Sequence, residues 1–195
     1  KLASVKWARE HGIPFLGICL GFQMAVVEFA RNVVELQDAN SAEFDVNCAH
    51  PVIAELPDQK EIEGLGGTMR LGGQDVAIAQ ESFAEQLFAS TSVRERFRHR
   101  YEVEPKYIEQ LTKAGLIFSG HHPEHQIMQI LELSPEVHPY FVAGQFHPEL
   151  TSRPLRPQPM FMGLVAAGIV HRTGEKHPQG VDARWLSGNN SAANV

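Results

Sequence analysis

The sequence predicts an α/β fold, an open and largely parallel sheet flanked by helices, and three observations carry that prediction. Leu2, Val5 and Ala8 recur at helical spacing with Trp7 beside them, and Gly12 stands where such a helix would stop. The helix feeds the apolar run of residues 13–18, which reads as a strand with Pro14 near its start, where no ladder bond is yet needed. Gly17-Ile18-Cys19-Leu20-Gly21 then turns sharply into residues 20–34, apolar on nearly every side and so a buried helix. Alternation of helix and strand in this rhythm lays strands side by side in parallel.

The remaining elements follow in order. Residues 38–47 are polar, and Val52-Ile53 and the acidic residues 58–63 lead to a glycine-rich patch, residues 64–73. That patch lacks the Lys-Ser/Thr pair of a phosphate-binding loop and reads as a turn-rich hairpin. Ser82-Phe83-Ala84-Glu85 is a capping box opening a short helix to about Ala89. Ser92-Val93-Arg94-Glu95 repeats the pattern ahead of Arg96-Phe97-Arg98-His99-Arg100-Tyr101-Glu102. Base and aromatic alternate there as on a nucleic-acid surface, but the glutamates and the acidic total favour a charged strand edge. One of its arginines is suited to a substrate carboxylate, which the planar guanidinium fork matches. Pro105 and Gly115 bracket another helix with Ile108 and Leu111 inward, and residues 116–119 and 127–133 read as strands of a hairpin. Its loop holds His121, His122 and His125, a spacing too weak for a metal site without a cysteine nearby. The apolar residues 140–144 form a further strand, and a Pro-rich connector, residues 152–159, leads to a last helix over residues 160–170. From His171 onward the periodicity disappears. One domain is therefore placed at residues 1–172, and residues 173–195 are expected as a flexible tail with too little apolar surface to offset its ordering entropy.

Composition bounds the function classes. With 43% hydrophobic and 21% charged residues, the 195-residue chain falls among ordinary globular proteins. A formal net charge of -6 gives no general attraction to nucleic acid or to an anionic membrane. Cys19 and Cys48 are too few for a disulfide scaffold and fit a reducing cytosol, and neither a secretory segment nor a bilayer-spanning run is present. The expected location is cytoplasmic.

Chemistry concentrates at two places. A strand, G-x-C-x-G and a helix form a nucleophile elbow with cysteine as the nucleophile. The helix N-terminus supplies free N–H groups and partial positive charge, which favour a thiolate and a developing oxyanion. In Gln145-Phe146-His147-Pro148-Glu149, His147 and Glu149 stand at a strand end, and residues i and i+2 of an extended segment share a face. Glu149 can then orient the imidazole while His147 faces Cys19, completing nucleophile, base and orienter. Gln23 lies one helical turn after Cys19, on the thiol's side of the helix. Cys48, in a polar loop, reads as a plain thiol.

With its cysteine elbow and the order Cys, His, Glu, the chain resembles the class I (triad) glutamine amidotransferases. Ser41-Ala42-Glu43-Phe44, Gly66-Gly67-Thr68-Met69-Arg70-Leu71-Gly72, Arg98-His99-Arg100-Tyr101-Glu102-Val103 and residues 145–149 are together similar to the amidotransferase domain of CTP synthase. The resemblance runs over residues 1–172. It implies a flavodoxin-like sheet and a glutamine-hydrolysing ligase half: Cys19 attacks the glutamine side-chain amide and forms a γ-glutamyl thioester, His147 acts as base and acid, and Glu149 orients it. The resemblance further implies that Leu20 gives an oxyanion N–H and that Leu20, Gly21, Phe22, Gln23, Glu43 and Arg100 bind glutamine. No metal or cofactor is implied in this domain. Ammonia would pass to a separate synthetase domain where ATP and Mg²⁺ activate UTP for amination to CTP, in a tetrameric enzyme. The resemblance also implies that strands, helices and a second oxyanion donor precede Lys1, so the domain is expected to be incomplete at its N-terminus and poorly active alone. On the triad alone, a stand-alone γ-glutamyl hydrolase and the amidotransferase part of another biosynthetic enzyme fit as well. A catalytically silent interaction module that keeps the fold is the alternative of another class.

Overall fold

The helix α1 (Leu2–His11) stops at Gly12, which takes the left-handed conformation at φ 63° and returns its N–H to Ala8. That turn aims the chain into β1 (Phe15–Ile18), and Cys19 reverses it into α2 (Leu20–Asn32). The computed structural model describes residues 1–56 and 69–186. After α2 come β2 (Ala39–Ser41), β3 (His50–Ala54), β4 (Arg70–Ile78), α3 (Phe83–Phe88), β5 (Ser92–His99) and β6 (Glu102–Val103). The chain continues with α4 (Pro105–Lys113), β7 (Ile117–His121), β8 (Met128–Glu132), β9 (Phe141–Gly144) and α5 (Pro159–Thr173).

Six strands form the main sheet in the order β1-β9-β8-β7-β4-β5, and β2-β3-β6 make a second, small one. Every residue of β8 and β9 is buried, because helices cover both faces. Alternation splits β9 between two cores: Phe141 and Ala143 pack with Val26, Phe29 and Leu111 on one face, Val142 with Phe83, Tyr140 and Met160 on the other. On the first face, α1 is tied to α2 by the Arg9 guanidinium, which donates to both oxygens of fully buried Glu28 at 2.8 and 2.9 Å. On the second face, α5 runs close over Tyr140, whose hydroxyl donates to the Met160 carbonyl at 2.7 Å.

An α/β sheet flanked by helices is thus present, but its strand directions are mixed. Among the described residues of the main sheet only β1 and β9 run parallel, and the other four pairings are antiparallel. Short local connections explain this, since the β7–β8 hairpin and the β8–β9 return need no crossover helix.

Other local readings need correction too. Ser82 does cap α3, accepting from the Glu85 N–H at 3.0 Å, while the Glu85 carboxylate takes the Glu81 N–H at 2.7 Å. Ser92-Val93-Arg94-Glu95, by contrast, opens β5 and caps nothing: eight register pairs with β4 outweigh a four-residue pattern. Along β5 exposed Arg94, Arg96 and Arg98 alternate with buried Glu95, Phe97 and His99, which is the charged edge strand expected from its composition. The acidic residues 58–63 and the first half of the glycine-rich patch lie outside the described residues, and its last two glycines, Gly72 and Gly73, sit inside β4 rather than in a turn. The tail also differs from expectation. Helix α5 runs on to Thr173, and Trp185 and Leu186 are buried in the second core, held by the Gln86 amide donating to the Arg184 and Leu186 carbonyls. A polar stretch with one well-placed tryptophan is enough to dock. No helix among the described residues is long and apolar enough to cross a membrane.

Candidate active site

The elbow is built by backbone constraint. Cys19 sits at φ 50°, ψ -100°, a conformation that costs a non-glycine residue roughly 1–3 kcal/mol and persists only when its surroundings hold it. Its N–H donates to the Gly144 carbonyl at 2.8 Å, and its carbonyl accepts from the Gln23 N–H at 3.2 Å. Gly17 allows α2 to come down on β1: a Cβ there would meet Ala143 Cβ at 2.7 Å and the Gly21 main chain at 2.8 Å. Around Gly21 itself there is open space, with nothing within 4 Å of a Cβ built there. The sulfur thus stands at the mouth of α2, beside the Leu20 N–H. Leu20, Gly21 and Phe22 form the first helical turn, whose N–H groups have no carbonyl four residues back.

Parallel pairing of Ile18 with Gly144 brings the ends of β1 and β9 level, so Cys19 and residues 145–149 leave the sheet at the same end of adjacent strands. The His147 N–H is anchored on the Arg96 carbonyl at 2.8 Å. His147 Nδ1 lies 2.7 Å from Glu149 Oε1, so Nδ1–H donates to the carboxylate and Nε2 carries the free lone pair. That Nε2 is shielded from solvent and has no hydrogen-bond partner among the described residues. The pair does not form across one strand face: Pro148–Leu150 is a 3-10 turn, and the turn swings Glu149 back under the imidazole.

Burial pushes the Cys19 thiol above its ordinary range. The Leu20 N–H and the Gln145 amide oppose that shift, and the carboxylates of Glu149 and Glu102 reinforce it. The resting group is therefore the thiol, with the carbonyl of Arg98 as its acceptor at 4.0 Å. The helix N-terminus does not ionise it unaided, and a nearby base must take its proton.

Beside Cys19 opens a cavity of about 350 Å³, lined by Leu20, Gln23, Glu43, Phe44, Met69, Arg98, His99, Arg100 and Tyr101. Ser41, fully buried, shapes the turn that presents Glu43, accepting the Glu43 N–H on its hydroxyl at 3.2 Å. Arg100 follows the end of β5 and is exposed, with no ion pair among the described residues. Beneath it lies a buried charged support in which Glu102 Oε1 accepts from Arg70 Nη1 at 3.2 Å and contacts His99 Nε2 at 2.6 Å. Gln23 Nε2 donates to the Tyr101 carbonyl at 2.9 Å and to Gln145 Oε1 at 3.2 Å, and Gln145 Nε2 donates to the Cys19 sulfur at 3.6 Å.

Of the residues expected at the site, Cys19, Leu20, Gln23, Glu43 and Arg100 converge on this cavity. His147 and Glu149 meet each other at the neighbouring strand end without lining it. Gly21 does not line it, and the Phe22 side chain is fully buried in the first core, leaving only its main chain at the helix mouth. Sequence reasoning did not assign Gln145, His99, Tyr101 or Phe44 to the site. All four stood in the stretches that carried the resemblance, Phe44 beside Glu43, His99 and Tyr101 beside Arg100, and Gln145 two positions before His147.

The family model described as glutamine amidotransferase class-I matches residues 1–167. A CTP synthase from Haloarcula hispanica is 56% identical over 167 residues, spanning 86% of this chain and 30% of that protein. One from Archaeoglobus fulgidus is 53% identical over 176 residues, spanning 90% of this chain and 33% of that protein. The chain thus spans about a third of the length of these curated relatives. Among solved structures, the glutaminase domain of Trypanosoma brucei CTPS with bound acivicin matches at TM-score 0.79 and 35% identity, covering 94% of this chain and 69% of that one.

Proposed function

The chain belongs to the class-I glutamine amidotransferases, and from that premise we propose that it hydrolyses glutamine through Cys19, His147 and Glu149 to supply ammonia for CTP synthesis. One observation carries the reading: the elbow thiol opens on a cavity that offers both a carboxylate, Glu43, and a guanidinium, Arg100, that forms no ion pair among the described residues. Free glutamine presents the complementary ammonium and carboxylate at one end and an amide at the other. Glu43 takes the ammonium and Arg100 the carboxylate, which directs the side-chain amide toward Cys19. The Oε1 of Gln23, whose NH₂ is already committed, is left to accept from the substrate amide.

His147 Nε2 takes the thiol proton as sulfur attacks the amide carbon, and Glu149 stabilises the imidazolium. The oxyanion forms against the N–H groups at the mouth of α2, Leu20 first. His147 returns the proton to the leaving nitrogen, ammonia departs, and a γ-glutamyl thioester remains. Water then attacks the thioester with His147 again as base, and glutamate is released. These steps need no metal or cofactor in this domain. The further use of the ammonia, amination of UTP to CTP with ATP and Mg²⁺ in a separate synthetase domain, is part of the same proposal; the name of the curated relatives, CTP synthase, supports its product.

The experiment measures glutamate and ammonia from glutamine with the chain carried in its full-length protein, wild type and Cys19→Ala, and uses mass analysis after exposure to acivicin, the compound carried by the trypanosomal relative. A single adduct on Cys19 and loss of hydrolysis in the variant are expected. Hydrolysis that survives in Cys19→Ala, or an adduct on Cys48 alone, would refute the assignment.

A further inference from the structure

The buried glutamine relay behind the thiol has a direction that the geometry determines. Gln23 Nε2 faces the Tyr101 carbonyl at 2.9 Å, and a carbonyl only accepts. That contact fixes which end of the Gln23 amide is the NH₂ group, and its second hydrogen then meets Gln145 at 3.2 Å. The Gln145 atom at that contact must be the oxygen, so its NH₂ is turned onto the Cys19 sulfur, 3.6 Å away. Gln145 is fully buried, its main chain is held by the Gln129 carbonyl at 2.9 Å, and its side chain is held between Gln23 and the Cys19 sulfur.

We propose that Gln145 is a further catalytic residue: its side-chain amide donates to the attacking sulfur, and Gln23, through the Tyr101 carbonyl, acts as the positioning residue that keeps the donor end forward. A donor at sulfur stabilises the thiolate more than the thiol, because hydrogen bonds to charged groups are the stronger ones. It therefore helps offset the burial and the two carboxylates that hold the proton on Cys19. The Gln23 side chain thereby serves two tasks: its NH₂ orients the relay and the residue lines the cavity, so occupancy of the cavity and readiness of the thiol are coupled through one side chain. The inference rests on the glutaminase reading for its catalytic meaning, but the thiol chemistry can be read without any glutamine.

The test is the pH dependence of iodoacetamide alkylation at Cys19 in a Cys48→Ser background, comparing wild type, Gln145→Glu and Gln145→Met, with thermal melts alongside. The other charged or titratable groups facing the sulfur and its cavity are unchanged in all three: His147 and Glu149 after β9, His99, Tyr101 and Glu102 around the end of β5, and Glu43, Arg98 and Arg100. Losing the donor should lower the alkylation rate at neutral pH by about ten- to a hundred-fold and move the midpoint to higher pH, with Gln145→Glu the more affected. With glutamine as substrate, kcat should fall while KM changes less than about threefold. In the wild-type chain, which needs no variant to fold, the Gln145 side-chain amide proton should move in the NMR spectrum as Cys19 ionises. An alkylation midpoint unchanged in a folded variant, or an amide signal indifferent to Cys19 ionisation, would overturn the inference. If alkylation shifts as expected while glutamine is not hydrolysed by wild type even within the full-length protein, the relay stands and the glutaminase reading falls.

Discussion

Gly17→Ala is the substitution for which the elbow makes its sharpest demand. The added methyl would lie 2.7 Å from Ala143 Cβ and 2.8 and 2.9 Å from the Gly21 carbonyl carbon and oxygen. The lower edge of ordinary contact is 3.4 Å, so a gap of about 0.7 Å must open between β1, β9 and the first turn of α2. Two of the three obstacles are main chain and cannot rotate aside. Overpacking of this kind costs about 1–3 kcal/mol, and the loss of glycine's freedom in the unfolded chain returns only about 0.4–1 kcal/mol. A net loss of about 0.6–2 kcal/mol should appear as a fall of the urea midpoint by up to about 1 M, with an unchanged slope. The same displacement moves Cys19 relative to His147, and misplacement on the ångström scale costs up to about 10²-fold in turnover. Gly21→Ala is the control. Its methyl enters open space, so stability should hold within about 0.5 kcal/mol. Equal stability of Gly17→Ala and wild type, or a Gly21→Ala that unfolds first, would show that close approach at Gly17 is not what shapes the elbow.

Arg100→Ala should raise KM for glutamine at least about tenfold, the worth of one charge-assisted hydrogen bond, whereas Arg94→Ala should change it less than about twofold. Arg94 is spent on the exposed Asp75 at 2.9 Å and does not line the cavity; steady-state kinetics with equal effects from the two would point to surface charge instead. Glu132 and Glu95 are both pushed up by burial, against the hydrogen bonds each accepts, Glu132 from the Phe83 and Ala84 N–H groups and Ser119, Glu95 from Thr151 and Gln158. In the window above the ordinary value of 4.5 the folded chain then binds more protons than the unfolded one, so these two groups add stability as pH falls toward 4.5 and lose it as pH rises through their folded values. Urea titrations between pH 4.5 and 7.5 should show wild type gaining on Glu95→Gln/Glu132→Gln as pH falls, and a gain in the opposite direction would reverse the sign of the argument.

Local patterns in the sequence carried the parts of this site that lie within one turn or strand of each other. Gly12 as a helix stop, Ser82 as a cap, Gly17 and Cys19 as an elbow and the apolar residues 140–144 as a strand all follow from neighbours a few positions apart. Those choices are made by φ, ψ and hydrogen-bond closure over short spans, so they are legible without knowing what packs where. The His147–Glu149 pair was legible for the same reason, although a 3-10 turn and not a shared strand face brings the two together.

What the tertiary structure alone decided involves partners far apart in the chain. Whether strands run parallel or antiparallel depends on which edges are free when each one docks, and a single apolar run does not encode that. Ser92-Val93-Arg94-Glu95 satisfies a capping pattern yet becomes a strand, because pairing along β4 satisfies more backbone groups than one cap can. Trp185 and Leu186, in a stretch with no periodicity, are buried because α3 and α5 leave a hollow there. The thiol's surroundings show the division most clearly. The strand–turn–helix pattern places Cys19, but the carbonyl of Arg98, the amide of Gln145 and the cavity wall of residues 98–101 reach it from 79 to 126 positions away. Their arrival depends on how β5, β9 and α2 close on one another, an outcome of packing that no window of the sequence contains.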